Sequence, residues 1–158
     1  MESNSTAFLI KIKLRHSLGR PSRSDFVQSE FVERFPELSL FYRLFSQLDS
    51  EMICIFPYFS PCEESKHFSV GLACFSFEAD VIAIVQAANE PFNLFSDGSR
   101  NFLLWPLIGI ITKVDSPHAN IPMVRQWMEN MGCERIFMVN NKTREGISEL
   151  MEYPESIR

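Results

Sequence analysis

The sequence predicts an α/β domain: a mostly parallel sheet with helices on both faces. Three observations carry that expectation. Val81 to Val85 (VIAIV) is apolar throughout rather than alternating, the pattern of a strand buried on both sides. A second such run ends at Ile111, and a further strand, IFMV, ends at Val139. Between the last two, Ile121 to Met131 carries apolar residues at helical spacing, with Ile121, Val124, Met128 and Met131 on one face. Strands alternating with helices are the pattern of a parallel sheet.

Taken in order, Phe8 to Leu14 (FLIKIKL) reads as a strand, alternating apolar and basic residues at its end. Phe26 to Leu48 is helix-like and broken or kinked at Pro36. Met52 to Phe56 is a short strand and Lys66 to Phe77 a helix with Phe68, Leu72 and Phe75 on one face. The strand after Val81 to Val85 begins at Pro106 or Leu107. Asn120 is placed to cap the Ile121 helix and Gly132 to stop it. Ile136 to Val139 is the next strand. Glu145 to Tyr153 is a last helix, with Thr143 as a candidate cap and Pro154 beyond its end.

The chain has 158 residues, 46% hydrophobic and 22% charged, enough apolar content for a core and too much for a disordered chain. One domain over residues 1–158 is expected. Eleven of the fifteen phenylalanines fall before residue 78, which makes residues 1–77 the less regular half and 78–153 the cleaner one. The net charge is −5 and there is no basic stripe, so no nucleic-acid partner is expected. No uncharged apolar window reaches a membrane span of about 18 residues. The apolar cluster Ala7 to Ile10 is too short for a signal-peptide core, so the protein is expected to be cytoplasmic. Cys54, Cys62, Cys74 and Cys133 form no C-x-x-C pair and the three histidines are dispersed, so neither a disulfide framework nor a metal site is expected. The cysteines read as buried or inert thiols.

Ligands of open parallel sheets bind beyond the carboxyl ends of the strands. After Ile111 comes Thr112-Lys113-Val114-Asp115, and after Val139 comes Asn140-Asn141-Lys142. A carboxylate such as that of Asp115 can accept two parallel N–H bonds, and guanine offers that pair from its ring nitrogen and exocyclic amine. A lysine two residues earlier can lay its stem over the base. The competing reading is structural: Asp115 caps the next segment and Asn140-Asn141 is an ordinary turn pair. No carboxylate pair tuned for acid–base chemistry stands out, so no catalytic residue is assigned.

The stretch from Trp105 to Asp115 (WPLIGIITKVD) resembles the guanine-specificity segment of small GTPase-like proteins with a phosphate-binding loop. More narrowly, it resembles the EutP/PduV family of ethanolamine and propanediol utilisation proteins. Glu78 to Gln86, Phe95 to Gly98, Gly132 to Phe137 and Glu145 to Leu150 fit that family in the same order. The resemblance implies a P-loop GTPase-like fold, with Thr112, Lys113, Asp115 and Asn140 around a nucleotide base. It implies GTP or ATP with Mg2+ as ligand where binding is retained, and association with bacterial microcompartment shell or enzyme proteins.

The first half departs from the family pattern. The register of its G-x-x-x-x-G-K-[ST] phosphate loop runs from Leu14 to Ser22. Gly19 is kept, Arg20 stands for the lysine, and Pro21 for the hydroxyl residue that meets magnesium. Gly19, Arg20 and Ser22, with its hydroxyl one position late, are the candidate phosphate contacts. In the second phosphate-sensing segment, Phe59 stands where the family has an aspartate and Cys62 where it has glycine. Spacing kept with chemistry lost reads as a diverged nucleotide-binding domain, or as a shifted reading frame in the first half. Two functions follow. One is a nucleotide-binding protein of ethanolamine or propanediol utilisation, with impaired or absent hydrolysis and, if active, a weak GTPase-like nucleoside triphosphatase. The other is a catalytically silent scaffold or interaction protein that keeps the fold without binding nucleotide.

Overall fold

The computed structural model describes residues 7–14, 40–41, 43–44, 50–58, 80–91, 93 and 106–156. Among them, five strands make one sheet: β1 (Ala7–Leu14), β2 (Ser50–Tyr58), β3 (Val81–Ala87), β4 (Leu107–Thr112) and β5 (Arg135–Met138). Their order is β2-β1-β3-β4-β5. Two helices complete the second half, α1 (Ile121–Met131) and α2 (Ile147–Ser156).

β3, β4 and β5 are parallel, with Ile84 opposite Gly109 and Ile110 opposite Phe137. All side chains of β3 and β4 are buried, as their uninterrupted apolar runs require. Their faces divide by alternation. Val81, Ala83, Val85, Ile108 and Ile110 pack with Phe137, Leu150 and Tyr153, on the α2 side, together with the helical residues Phe41 and Leu44. Ile82, Ile84, Leu107 and Ile111 pack with Val124, Met128 and Met131 of α1 on the other. Helices therefore cover both faces, as the α/β reading requires. Each such aliphatic side chain contributes about 1.5–3 kcal/mol on burial, so these two strands are the stabilising centre of the fold.

β1 runs antiparallel to both β2 and β3. The sheet is thus mixed, with its parallel part confined to β3–β5. Alternating apolar and basic residues, as in FLIKIKL, are the usual pattern of antiparallel strands. Ile12 of β1 pairs with Val81, the first residue of β3. Leu14 therefore ends β1 at the edge where β3 begins, the opposite edge from the ends of β3, β4 and β5. The expected helix Lys66 to Phe77 and the candidates Gly19, Arg20 and Ser22 lie outside the described residues.

Several boundaries differ from the expected ones. β3 continues to Ala87 because Gln86 and Ala87 still pair with Ile111 and Thr112. β5 begins at Arg135, in register with Ile108. α1 has the expected ends: Asn120 Oδ1 accepts from the Met123 N–H at 3.2 Å, and Gly132 closes the helix at φ 92°. α2 starts at Ile147 rather than Glu145, so Thr143 is not its cap. Its hydroxyl accepts from the Glu145 N–H at 3.4 Å inside the preceding turn. α2 also runs through Pro154 to Ser156. A proline inside a helix costs about 3 kcal/mol. Burial of Leu150 and Tyr153 against the sheet offsets it, and the Ser156 hydroxyl donates to the Tyr153 carbonyl at 2.6 Å. Tyr153 meets Phe137 edge-on at 5.8 Å, with the Arg135 guanidinium over both rings at 5.6 and 5.1 Å, which ties α2 to β5.

Two glycines are fixed by packing. On Gly109 a Cβ would run into Met128 Sδ, so the end of that methionine would have to shift to admit a side chain. At Gly146, φ is +79° and a Cβ would collide with the Met138 carbonyl oxygen. Gly146→Ala is expected to lower the unfolding free energy by about 2 kcal/mol or more, and Gly109→Ala by about 1–3 kcal/mol. Both would appear as lower urea midpoints at unchanged slope.

Burial pushes the Cys133 thiol from 9.0 up to about 12. Above pH 9 the unfolded chain releases this proton while the folded one retains it until about pH 12. Ionisation thus favours unfolding, and the group's contribution to stability is lost as pH rises through that window. Iodoacetamide at pH 8.5 followed by peptide mapping is expected to leave Cys133 unmodified in the folded chain and to label it in urea.

Candidate functional site

β4 and β5 end at the same edge because they are parallel neighbours. The turn after β4 and the turn after β5 therefore emerge side by side. Between them lies an open cavity of about 360 Å³, lined by Lys113, Asp115 and Ser116 from one turn and by Asn140, Asn141 and Lys142 from the other. That volume is at the small end of ligand pockets and suits a flat heterocycle better than a large ligand.

The first turn is held by a hydrogen bond from the Ser116 N–H to the Lys113 carbonyl at 3.1 Å. Lys113 takes a left-handed conformation, φ 53°. A non-glycine residue there costs on the order of 1 kcal/mol, a cost borne at the rim of the cavity. Thr112 closes β4 and is fully buried. Its carbonyl accepts from the Ala88 N–H at 2.7 Å. Its hydroxyl has no hydrogen-bond partner among the described residues, nor does the buried side-chain oxygen of Asn141. Buried polar atoms left unpaired cost about 1–3 kcal/mol each.

The second turn is built by Asn140. Its side-chain oxygen accepts from the N–H groups of Lys142 at 2.9 Å and Thr143 at 3.3 Å. Its backbone closes the turn, the Arg144 N–H donating to its carbonyl at 2.8 Å and its own N–H donating to Glu145 at 3.1 Å. Asn140 is buried. Its side-chain oxygen therefore shapes the cavity wall.

The structure thus brings Lys113, Asp115 and Asn140 to one cavity, with Thr112 at the strand end below the Lys113 turn in sequence. Lys142 joins them. Its ammonium lies 3.4 Å from Asp115 Oδ2, across the two turns, with side chains 84% and 42% exposed. Lys142 stood in the loop that the sequence picks out, but only the adjacency of the two turns shows its partner. Magnesium is a different matter. Pro21 and Phe59 occupy the positions where the family pattern has its hydroxyl and carboxylate ligands, and no group of three or more metal-ligating side chains occurs among the described residues.

Residues 60–156, more than half of the chain, match the family model for ethanolamine utilisation and propanediol utilisation proteins, PduV-EutP. The chain belongs to that family. The PduV-EutP match includes both turns and all three parallel strands. A relative, the propanediol utilization protein PduV of Citrobacter freundii, is 32% identical over 89 residues, which cover 55% of this chain and 59% of that protein. The match thus spans about three-fifths of the relative's length. No described helix of this PduV-EutP member is long and apolar enough to cross a membrane.

An exposed ion pair contributes only about 0–1 kcal/mol. Asp115→Ala is therefore expected to change the unfolding free energy by less than about 1 kcal/mol, read by urea denaturation. A larger loss would make Asp115 a structural residue of its turn.

Proposed function

We propose that this chain is a nucleotide-binding protein of ethanolamine or propanediol utilisation, taking GTP or ATP, with hydrolysis impaired or absent. Its setting would be the cytoplasm, in association with shell or enzyme proteins of a bacterial microcompartment. The observation that carries the reading is the cavity shared by Lys113, Asp115, Asn140 and Lys142 at the carboxyl ends of β4 and β5. Asp115, exposed at that rim, would accept the paired N–H groups of a guanine ring. The Lys113 stem would pack on the face of the base. Thr112, at the end of β4, would support the turn from beneath.

Gly19, Arg20 and Ser22 remain the candidate phosphate contacts. Magnesium, where bound, would neutralise charge on the phosphates. Pro21 and Phe59 offer it neither a hydroxyl nor a carboxylate, so the reading is one of binding without efficient turnover.

A silent scaffold is the second reading, and the direction of β1 favours it. Leu14, where the phosphate-loop register begins, ends β1 at the edge opposite the rim. Titration calorimetry with GTP and magnesium separates the two. Saturable binding that is lost in Asp115→Ala is the expected result. Absence of binding at about 1 mM, the weak end of useful affinity, would overturn nucleotide binding and leave the scaffold.

A further inference from the structure

We infer that the outer edge of β5 docks an extended segment of a partner protein, one that alternates apolar and basic residues. The inference does not depend on nucleotide binding at the two turns, and it holds equally for a silent scaffold. A second cavity, of about 400 Å³, runs along that edge. Val114, Ile121, Ile136 and Met138 line it with apolar groups, and Glu145 and Glu149 with acidic ones.

The edge supplies backbone hydrogen bonds. β5 is the last strand in the sheet order, and among the described residues no strand pairs with its outer side. Ile111 stands opposite Met138, and its carbonyl accepts from the Val139 N–H at 2.9 Å. Alternate residues of a strand serve opposite neighbours. Phe137 and Val139 therefore turn their backbone groups to β4, while Ile136 and Met138 turn theirs outward. The start of α2 stands against the Met138 carbonyl, where a Cβ on Gly146 would collide. That leaves the N–H groups of Ile136 and Met138 and the Ile136 carbonyl for an added strand. Lysine or proline commonly blunts such an edge, and β5 carries neither. Met138 is instead an exposed large hydrophobic residue, at 43%.

The walls specify the side chains. Ile136 packs in the layer of α1, with Val114 and Ile121, and Phe137 packs in the layer of α2. A strand added beside β5 sends successive side chains to those two sides in turn. On the α1 side they meet the apolar wall. On the α2 side they meet Glu145 and Glu149, both exposed. Neither carboxylate has an ion-pair partner among the described residues, and no described cation lines the groove. The complement is an apolar residue followed by lysine or arginine, repeated. A second copy of this chain, itself at net charge −5, is a poorer occupant than a basic segment.

The probe is a fluorescein-labelled peptide alternating valine and lysine, followed by anisotropy on the full chain. One comparison peptide carries glutamate for lysine. Two others are N-methylated, one at the valine nitrogens and one at the lysine nitrogens, so that each blocks one edge of the added strand. The valine–lysine peptide is expected to bind saturably and the glutamate peptide not to bind. One methylated form should lose binding and the other keep it, because only one edge faces β5. The double variant Glu145→Gln, Glu149→Gln should weaken binding by about tenfold, with an unchanged circular dichroism spectrum. Equal behaviour of the two methylated forms overturns the inference, as does equal binding of the glutamate peptide. No saturation by about 1 mM overturns it as well. So does a dimer in sedimentation that Met138→Lys dissociates, which makes a second copy the occupant. The methylated peptides act on the wild-type chain and need no variant to fold.

Discussion

β4 lies in parallel register between β3 and β5, and everything at the rim depends on that placement. The strand is buried on both faces. A slip by one residue would exchange Ile108 and Ile110 with Leu107 and Ile111 and turn each set into the wrong layer. It would also move Gly109 away from Met128, which packs closely over it. The register is therefore rigid, and it alone sets how Lys113 and Asp115 stand against Asn140 and Lys142. The apolar burial that holds it amounts to about 1.5–3 kcal/mol per side chain. The ion pair across the rim is worth at most about 1 kcal/mol. The sheet makes the site, and the ion pair only decorates it.

Stability and function are thus divided along the length of the strands. Toward the middle, polar groups are few and alternation sorts side chains into two apolar layers. Toward the carboxyl ends the chain accepts costs. Lys113 and Arg144 stand at φ 53° and 61°. Thr112 and Asn141 bury oxygens without partners among the described residues. Gly146 brings the start of α2 against the carbonyl of Met138. None of these features improves the core, and all flank the same two turns.

The parts of the fold that the sequence made legible are those with local signals. β3 and β4 follow from uninterrupted apolar runs. α1 follows from its period, with Asn120 and Gly132 marking its two ends. The family could be read from the ordered segments between Glu78 and Leu150. What was not legible depended on partners distant in the chain. The direction of β1 is set by which strands it joins, and the alternation of FLIKIKL hints at antiparallel pairing without naming the partners. Pro154 looks like a stop from the sequence, yet the burial of Leu150 and Tyr153 outweighs its cost. That the Asn140 side-chain oxygen also closes its own turn shows only in the fold. The pairing of Lys142 with Asp115 needs two turns, 27 positions apart in the chain, brought to one edge.

If these two turns form one site for one ligand, both must respond to the base alone. Amide shifts in a nitrogen-15 spectrum of the full chain, followed as guanosine is added without any phosphate, test it most directly. Lys113, Asp115, Ser116, Asn141 and Lys142 are expected to shift together with one saturation curve, while the amides of α1 stay in place. Shifts in only one of the two turns, or none in either at saturating guanosine, would contradict it.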